Sequence, residues 1–123
     1  MSTKEIANRL VELCRTGQWE AAQKELYADN CVSIEPKGSP AELVEGLDAI
    51  IKKGEQFNEM VEKFNSLEVS EPLVAENFFT ITMNLDADFK GMGRVAMEEV
   101  CVYEVVNGKI VKEQFFFTPQ PQG

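Results

Sequence analysis

Residues 78–89 read Phe78-Phe79-Thr80-Ile81-Thr82-Met83-Asn84-Leu85-Asp86-Ala87-Asp88-Phe89, and the stretch alternates strictly. Phe79, Ile81, Met83, Leu85, Ala87 and Phe89 fall on one side of an extended chain, with Phe78, Thr80, Thr82, Asn84, Asp86 and Asp88 on the other. Successive side chains of a strand point to opposite faces, so the pattern predicts a strand with an apolar face on a core and a mostly polar face outward. An all-helical fold is excluded. Gly91-Met92-Gly93 supplies the next turn, and Arg94 to Val106 a strand that is apolar on both faces. Asn107-Gly108 then leads into a last strand from Lys109 to Thr118, where Phe115-Phe116-Phe117 puts aromatics on both faces. Before the quoted stretch, Leu67 and Val69 begin an earlier strand, and Pro72 with Glu76-Asn77 marks the bend between them.

Toward the N-terminus the period lengthens to that of a helix. Ser2-Thr3-Lys4-Glu5 has the spacing of a capping box, in which the serine and the glutamate each satisfy a free backbone amide. Ile6, Leu10, Leu13 and Cys14 recur on one face from there to Arg15, which predicts a first helix. Gly17 interrupts it, and Trp19, Ala22 and Leu26 predict a second helix to about Tyr27, ended by Asp29-Asn30. A short strand from Cys31 to Glu35 and a loop at Pro36, Gly38 and Pro40 lead to the longest helical stripe: Leu47, Ile50, Ile51, Gly54, Phe57, Val61 and Phe64. Gly54 costs that helix about 1 kcal/mol relative to alanine, so a close backbone approach or room for a cavity is its expected use. Helices first and strands afterwards give an α+β fold, with about three N-terminal helices packed against a curved antiparallel sheet.

The 123 residues suit one domain, long enough to bury roughly two-thirds of its unfolded surface. No apolar run is long enough to cross a bilayer, and no basic, apolar and small-residue series follows Met1, so a cytoplasmic location is expected. Cys14, Cys31 and Cys101 are widely spaced and odd in number, which fits buried reduced thiols better than disulfides or a zinc site. A net charge of -9 argues against nucleic-acid and anionic-membrane partners, since both require a basic footprint. Gly91-Met92-Gly93 lacks the helix and the lysine of a phosphate loop. No cofactor and no metal are expected.

The chain contains no histidine. That removes the commonest general base and every Ser-His or Cys-His arrangement, so acid/base chemistry must fall to carboxylates. Glu35 stands alone in the short apolar run Cys31-Val32-Ser33-Ile34-Glu35-Pro36 and is the first candidate. Inside an apolar cavity an ionised carboxylate loses its hydration, which turns it into a usable base. In solvent it would merely pair with Lys37.

The order helix, helix, short strand ending in acid and proline, long helix and four strands, with Asn107-Gly108-Lys109-Ile110 in the last hairpin, resembles the nuclear-transport-factor-two-like superfamily. Tyr27-Ala28-Asp29-Asn30, Gly46-Leu47-Asp48-Ala49-Ile50 and Gly108-Lys109-Ile110-Val111 resemble its SnoaL-like proteins. The likeness covers nearly the whole chain and implies a single SnoaL-like domain over residues 1–123. It also implies a cone-shaped sheet enclosing an apolar pocket with the helices, and a homodimer through the outer face of the sheet. This scaffold hosts isomerases, cyclases, hydrolases, dehydratases and non-catalytic binding proteins, so it names no reaction.

Ketosteroid isomerases of this fold place a catalytic aspartate before proline at the end of the first strand, and the resemblance puts Glu35, before Pro36, in that place. Their helix-one tyrosine has Leu10 as its nearest match here, and their protonated penultimate-strand acid falls near Cys101, with Glu99 two residues away on the same face. The His/Asp pair of SnoaL-type cyclases is missing its histidine, and its last-strand position falls at Glu113.

Which residues face the pocket depends on the last hairpin. A loop of Val106-Asn107-Gly108 with a glycine bulge would put Met97, Glu99, Cys101, Tyr103 and Val105 on one face with Val111, Glu113, Phe115 and Phe117. A two-residue Asn-Gly turn would reverse that pairing. The bulge is preferred because it leaves the charged Glu104 and Lys112 outside. The expected pocket is then lined by Phe57, Met83, Cys101, Tyr103, Glu113, Phe115 and Phe117, with Gly54 facing it. Trp19, Tyr27, Met60, Phe64 and Phe89 are either further lining or plain core.

Two functions fit. One is a module that binds a small apolar molecule without chemistry. The other is a cofactor-independent isomerase, cyclase or hydratase in which Glu35 moves a proton while Tyr103 or a protonated Glu99 donates a hydrogen bond to the developing oxyanion.

Overall fold

The computed structural model describes residues 1–119. Helices α1 (Thr3–Arg15) and α2 (Trp19–Leu26) are followed by strands β1 (Tyr27–Ile34) and β2 (Leu43–Glu45), then helix α3 (Leu47–Met60). Strands β3 (Val61–Val69), β4 (Leu73–Ala75), β5 (Phe78–Phe89), β6 (Gly93–Val106) and β7 (Lys109–Phe116) complete the chain. The seven-stranded sheet runs β2-β1-β7-β6-β5-β3, with β4 paired to β5.

The first helix starts where its sequence says. Ser2 and Glu5 form both halves of the capping box, and Ile6, Ala7, Leu10, Val11, Leu13 and Cys14 are buried against the sheet. On β5 the alternation holds through the whole strand, with Phe79, Ile81, Met83, Leu85, Ala87 and Phe89 all buried. Those side chains, with Tyr27, Cys31, Ile50, Cys101, Tyr103, Val105 and Ile110, make up most of the buried interior.

Three expectations need correction. The sheet is mixed: β1 lies parallel to β7, with Ser33 opposite Glu113, while the other pairs are antiparallel. The helical stripe taken to Phe64 stops at Met60, and Val61 already pairs with Phe89 of β5. Val61 and Phe64 fit the helical period by coincidence, and the unpaired side of β5 claims them. Strand β1 likewise begins at Tyr27, earlier than expected, because Tyr27 pairs with Ile110 before a bulge breaks the register.

The last hairpin reaches the expected facing by another route. Asn107 and Gly108 form a two-residue turn, with φ of 52° and 77°. Positive φ at both positions matches the right-handed twist of the flanking strands. The extra residue lies further along, at Val111, which is skipped between the pairs Val105–Ile110 and Glu104–Lys112. That bulge places Glu113 opposite Tyr103 and Phe115 opposite Cys101, while Ile110 rather than Val111 is buried.

Gly108 tests this turn. A Cβ there would meet nothing closer than the Met1 carbonyl oxygen at 3.7 Å, so the cost of Gly108→Ala is conformational and not steric. We expect a loss of about 1 kcal/mol in urea unfolding, with the m-value unchanged.

Candidate functional site

Between α3, α2 and the inner face of the sheet lies a cavity of about 330 Å³. Gly54, Phe57, Met83, Tyr103, Phe115 and Phe117 line it, together with Glu35, Glu99 and Glu113, so the structure brings nearly the whole expected set to one place. Cys101 is the exception. It is fully buried and stands behind the wall, pointing its Sγ at Glu99 Oε1 over 3.7 Å. Trp19 and Tyr27 also reach the cavity. Met60 and Phe64 are about half exposed, and Phe89 belongs to a small separate cluster with Leu85 and Ala87.

Glu113 is the most deeply buried carboxyl of the site. It is 3 % exposed and accepts hydrogen bonds from the Tyr27 hydroxyl and from Ser33 Oγ, the latter at 2.7 Å. The parallel ladder explains this contact, since Ser33 and Glu113 are direct register partners. Lys53 of α3 donates to Ser33 Oγ at 2.8 Å and to Glu35 Oε2 at 2.9 Å. Its ammonium also stands 5.5 Å from the centre of the Phe115 ring, inside the range of a cation–π contact. The Glu35 and Lys53 side chains are only 20 % and 24 % exposed, so their pair is shielded from the screening that weakens surface ion pairs.

These contacts give one connected chain: Glu35, Lys53, Ser33, Glu113, Tyr27. Glu35 is thus paired not with Lys37 but with a lysine that sequence reasoning passed over. The signal was present, because Lys53 falls three residues after Ile50 and four before Phe57 and so lies on the buried stripe of α3. A charged residue within an apolar stripe asks for a partner. Ser33 was legible in the same way, alternating with Cys31 on β1 and with Glu35 just past its end.

Burial pushes the Glu113 carboxyl upward, against the hydrogen bonds of Tyr27 and Ser33, which favour the ionised form. Glu99 behaves differently. Burial lifts it from an ordinary 4.5 to about 7, with the neighbouring Glu35 and Glu113 adding to the rise and the Cys101 thiol and Lys53 opposing it. At neutral pH it is therefore divided between acid and carboxylate, and can give or take a proton. The Tyr27 and Tyr103 hydroxyls are pushed well up, chiefly by burial, and stay neutral donors. The three thiols are raised for the same reason, which makes them poor nucleophiles.

Among the described residues no group of three or more acidic or cysteine side chains is arranged to hold a metal ion. None of their helices is long and apolar enough to cross a membrane.

A family model described as SnoaL-like domain matches residues 1–117. A crystal structure from Mesorhizobium loti, provisionally named a SnoaL-like polyketide cyclase, shares 32% identity at a TM-score of 0.89, over 95% of this chain and 100% of its own. A protein of unknown function with a cystatin-like fold from Xanthomonas campestris superposes at 0.80 with 17% identity, over 94% of this chain and 90% of its own. An NTF2-like protein from Burkholderia thailandensis gives 0.80 and 16%, with coverage of 94% and 90%. At these identities the latter two speak for the fold alone. A search of curated proteins finds no match.

Glu99 predicts a pH response whose sign follows from its raised value. The folded state holds the Glu99 proton up to about 7, whereas the unfolded chain releases it near 4.5, so stability falls as pH rises between those values and then levels off. Glu99→Gln should remove this component, raising the melting temperature relative to wild type at pH 8 and leaving it nearly unchanged at pH 4. Parallel melting curves across that range check it.

Proposed function

The chain belongs to the SnoaL-like domain family, and on that premise we propose that it binds a small, predominantly apolar molecule in the cavity between α3 and the sheet. The observation that carries this reading is the cavity itself. Small molecules bind in concave, mostly apolar sites of a few hundred cubic ångströms, and this one, open on one side, holds about 330 Å³. Its lining is aromatic and aliphatic, with the polar groups gathered around Glu99 and the Glu35–Lys53 pair. A ligand bound to the native state alone raises the melting temperature, so a thermal-shift screen of small apolar compounds should return hits. Gly54→Leu should abolish them while leaving the fold intact or more stable, because the new side chain fills space lined by Gln23 and Phe57. Hits that persist in that variant would place the site elsewhere.

Acid/base chemistry in the same cavity is a second reading, favoured by a carboxyl poised at about 7 beside an ion pair. Glu35 is the base of this reading, Glu99 the proton carrier or oxyanion donor, and Tyr103 an alternative donor. The name of the Mesorhizobium loti relative lends it support. Solvent deuterium exchange at the carbon next to the carbonyl of an apolar ketone would reveal it. Glu35→Gln or Glu99→Gln should then slow exchange by about a hundredfold or more.

We propose further that two copies pair through the outer face of β6 and β7. Val100 and Phe116 are register partners there, exposed by 43% and 48%. Light scattering should give twice 13.8 kDa, and Phe116→Glu should give the monomer with cavity binding retained.

A further inference from the structure

The chemical class of the ligand can be narrowed from the charges around the cavity. Lys53 is the one cation lining it among the described residues, against the carboxylates Glu20, Glu35, Glu55, Glu99 and Glu113. Glu20 already meets Lys24 at 3.2 Å, and Glu55 is exposed at the rim. Inside, Glu35 has its partner in Lys53, and Glu113 is held by Tyr27 and Ser33. Lys53 is fully engaged, since Ser33, Glu35 and the face of Phe115 surround its ammonium.

Among the described residues, Glu99 is the inner carboxyl left without a proper partner. The hydrogen bond it receives comes from a thiol at 3.7 Å, a weak donor, and its carboxyl forms part of the cavity wall. Around the same space stand Trp19, Phe57 and Phe117, aromatic rings of the kind that attract a cation over the face and repel an anion there. An anionic ligand would meet unpaired negative charge without a free positive group, at a high desolvation cost. An ammonium would meet a carboxylate and aromatic faces together.

We infer that the molecule taken by the cavity carries a protonated amine on an apolar body, with the ammonium at the Glu99 carboxylate and the body among the aromatic side chains. This rests on the cavity reading above and deepens it. Glu99 is then the residue that decides specificity, and the Glu35–Lys53 pair keeps a second carboxylate from competing for the same cation.

Three compounds with one ring system and different heads test it: 1-naphthylmethylamine, 1-acetonaphthone and 1-naphthoate, titrated calorimetrically into wild type, Glu99→Gln and Gly54→Leu. The expected result is an amine bound about tenfold or more tighter than the ketone, with the naphthoate weakest. In Glu99→Gln the amine should fall to the level of the ketone, and in Gly54→Leu it should not bind. Circular dichroism confirms that each variant is folded. A ketone or naphthoate bound as tightly as the amine overturns the inference and leaves the cavity reading standing. An amine preference that survives Glu99→Gln or Gly54→Leu overturns it too, because the attraction would then come from the acidic surface. If none of the three binds wild type, the inference and the cavity reading fall together.

Discussion

Glu113 sets the terms for the polar side of this molecule. A carboxyl at 3 % exposure must find hydrogen bonds within the protein, and the groups that supply them come from both ends of β1, Tyr27 at its start and Ser33 near its end. Those two bonds fix where β1 lies beside β7. Once Ser33 turns its hydroxyl hydrogen to Glu113, its lone pairs face α3, and Lys53 takes them. Lys53 in turn draws Glu35 over the cavity edge. Removing the Glu113 carboxylate would therefore release, at second hand, a pair that Glu113 never touches.

Of the carboxyls lining the cavity, Glu35 and Glu99 have been given different environments. Glu35 has a lysine within 2.9 Å, whereas Glu99 has a thiol at 3.7 Å and two negative neighbours. Environment alone separates them, as residue type is the same. The family's scaffold supplies the space, and these neighbours supply whatever chemistry or selectivity the space has.

Much of the fold could be read in advance because its signals are local. The capping box at Ser2 and Glu5, the alternation over Phe78–Phe89 and the Asn107-Gly108 turn each depend on residues close in sequence. What escaped depends on distant partners. The end of α3 is decided by the open edge of β5, and the parallel pairing of β1 by a strand nearly at the other end of the chain. The cavity members were legible through the facing of β6 and β7, although the bulge that produces this facing sits at Val111 rather than in the turn. Tyr27 as donor to Glu113 had no sequence signal of its own, since their hydroxyl and carboxyl meet across 86 positions.

The parallel pairing of β1 with β7 also sets how much of the chain must be in place before the sheet can close. Ser33 meets its ladder partner 80 residues later, so this pairing closes a far longer loop than any other in the sheet. The β5–β6 hairpin, closed by a short turn, joins residues close in sequence and can form early. Strand β1 must wait for β7, and its apolar Cys31 stays uncovered by the sheet until the two meet, whereas α1 packs on β3, β4 and β5. Closing so long a loop slows folding relative to a purely antiparallel meander of the same length.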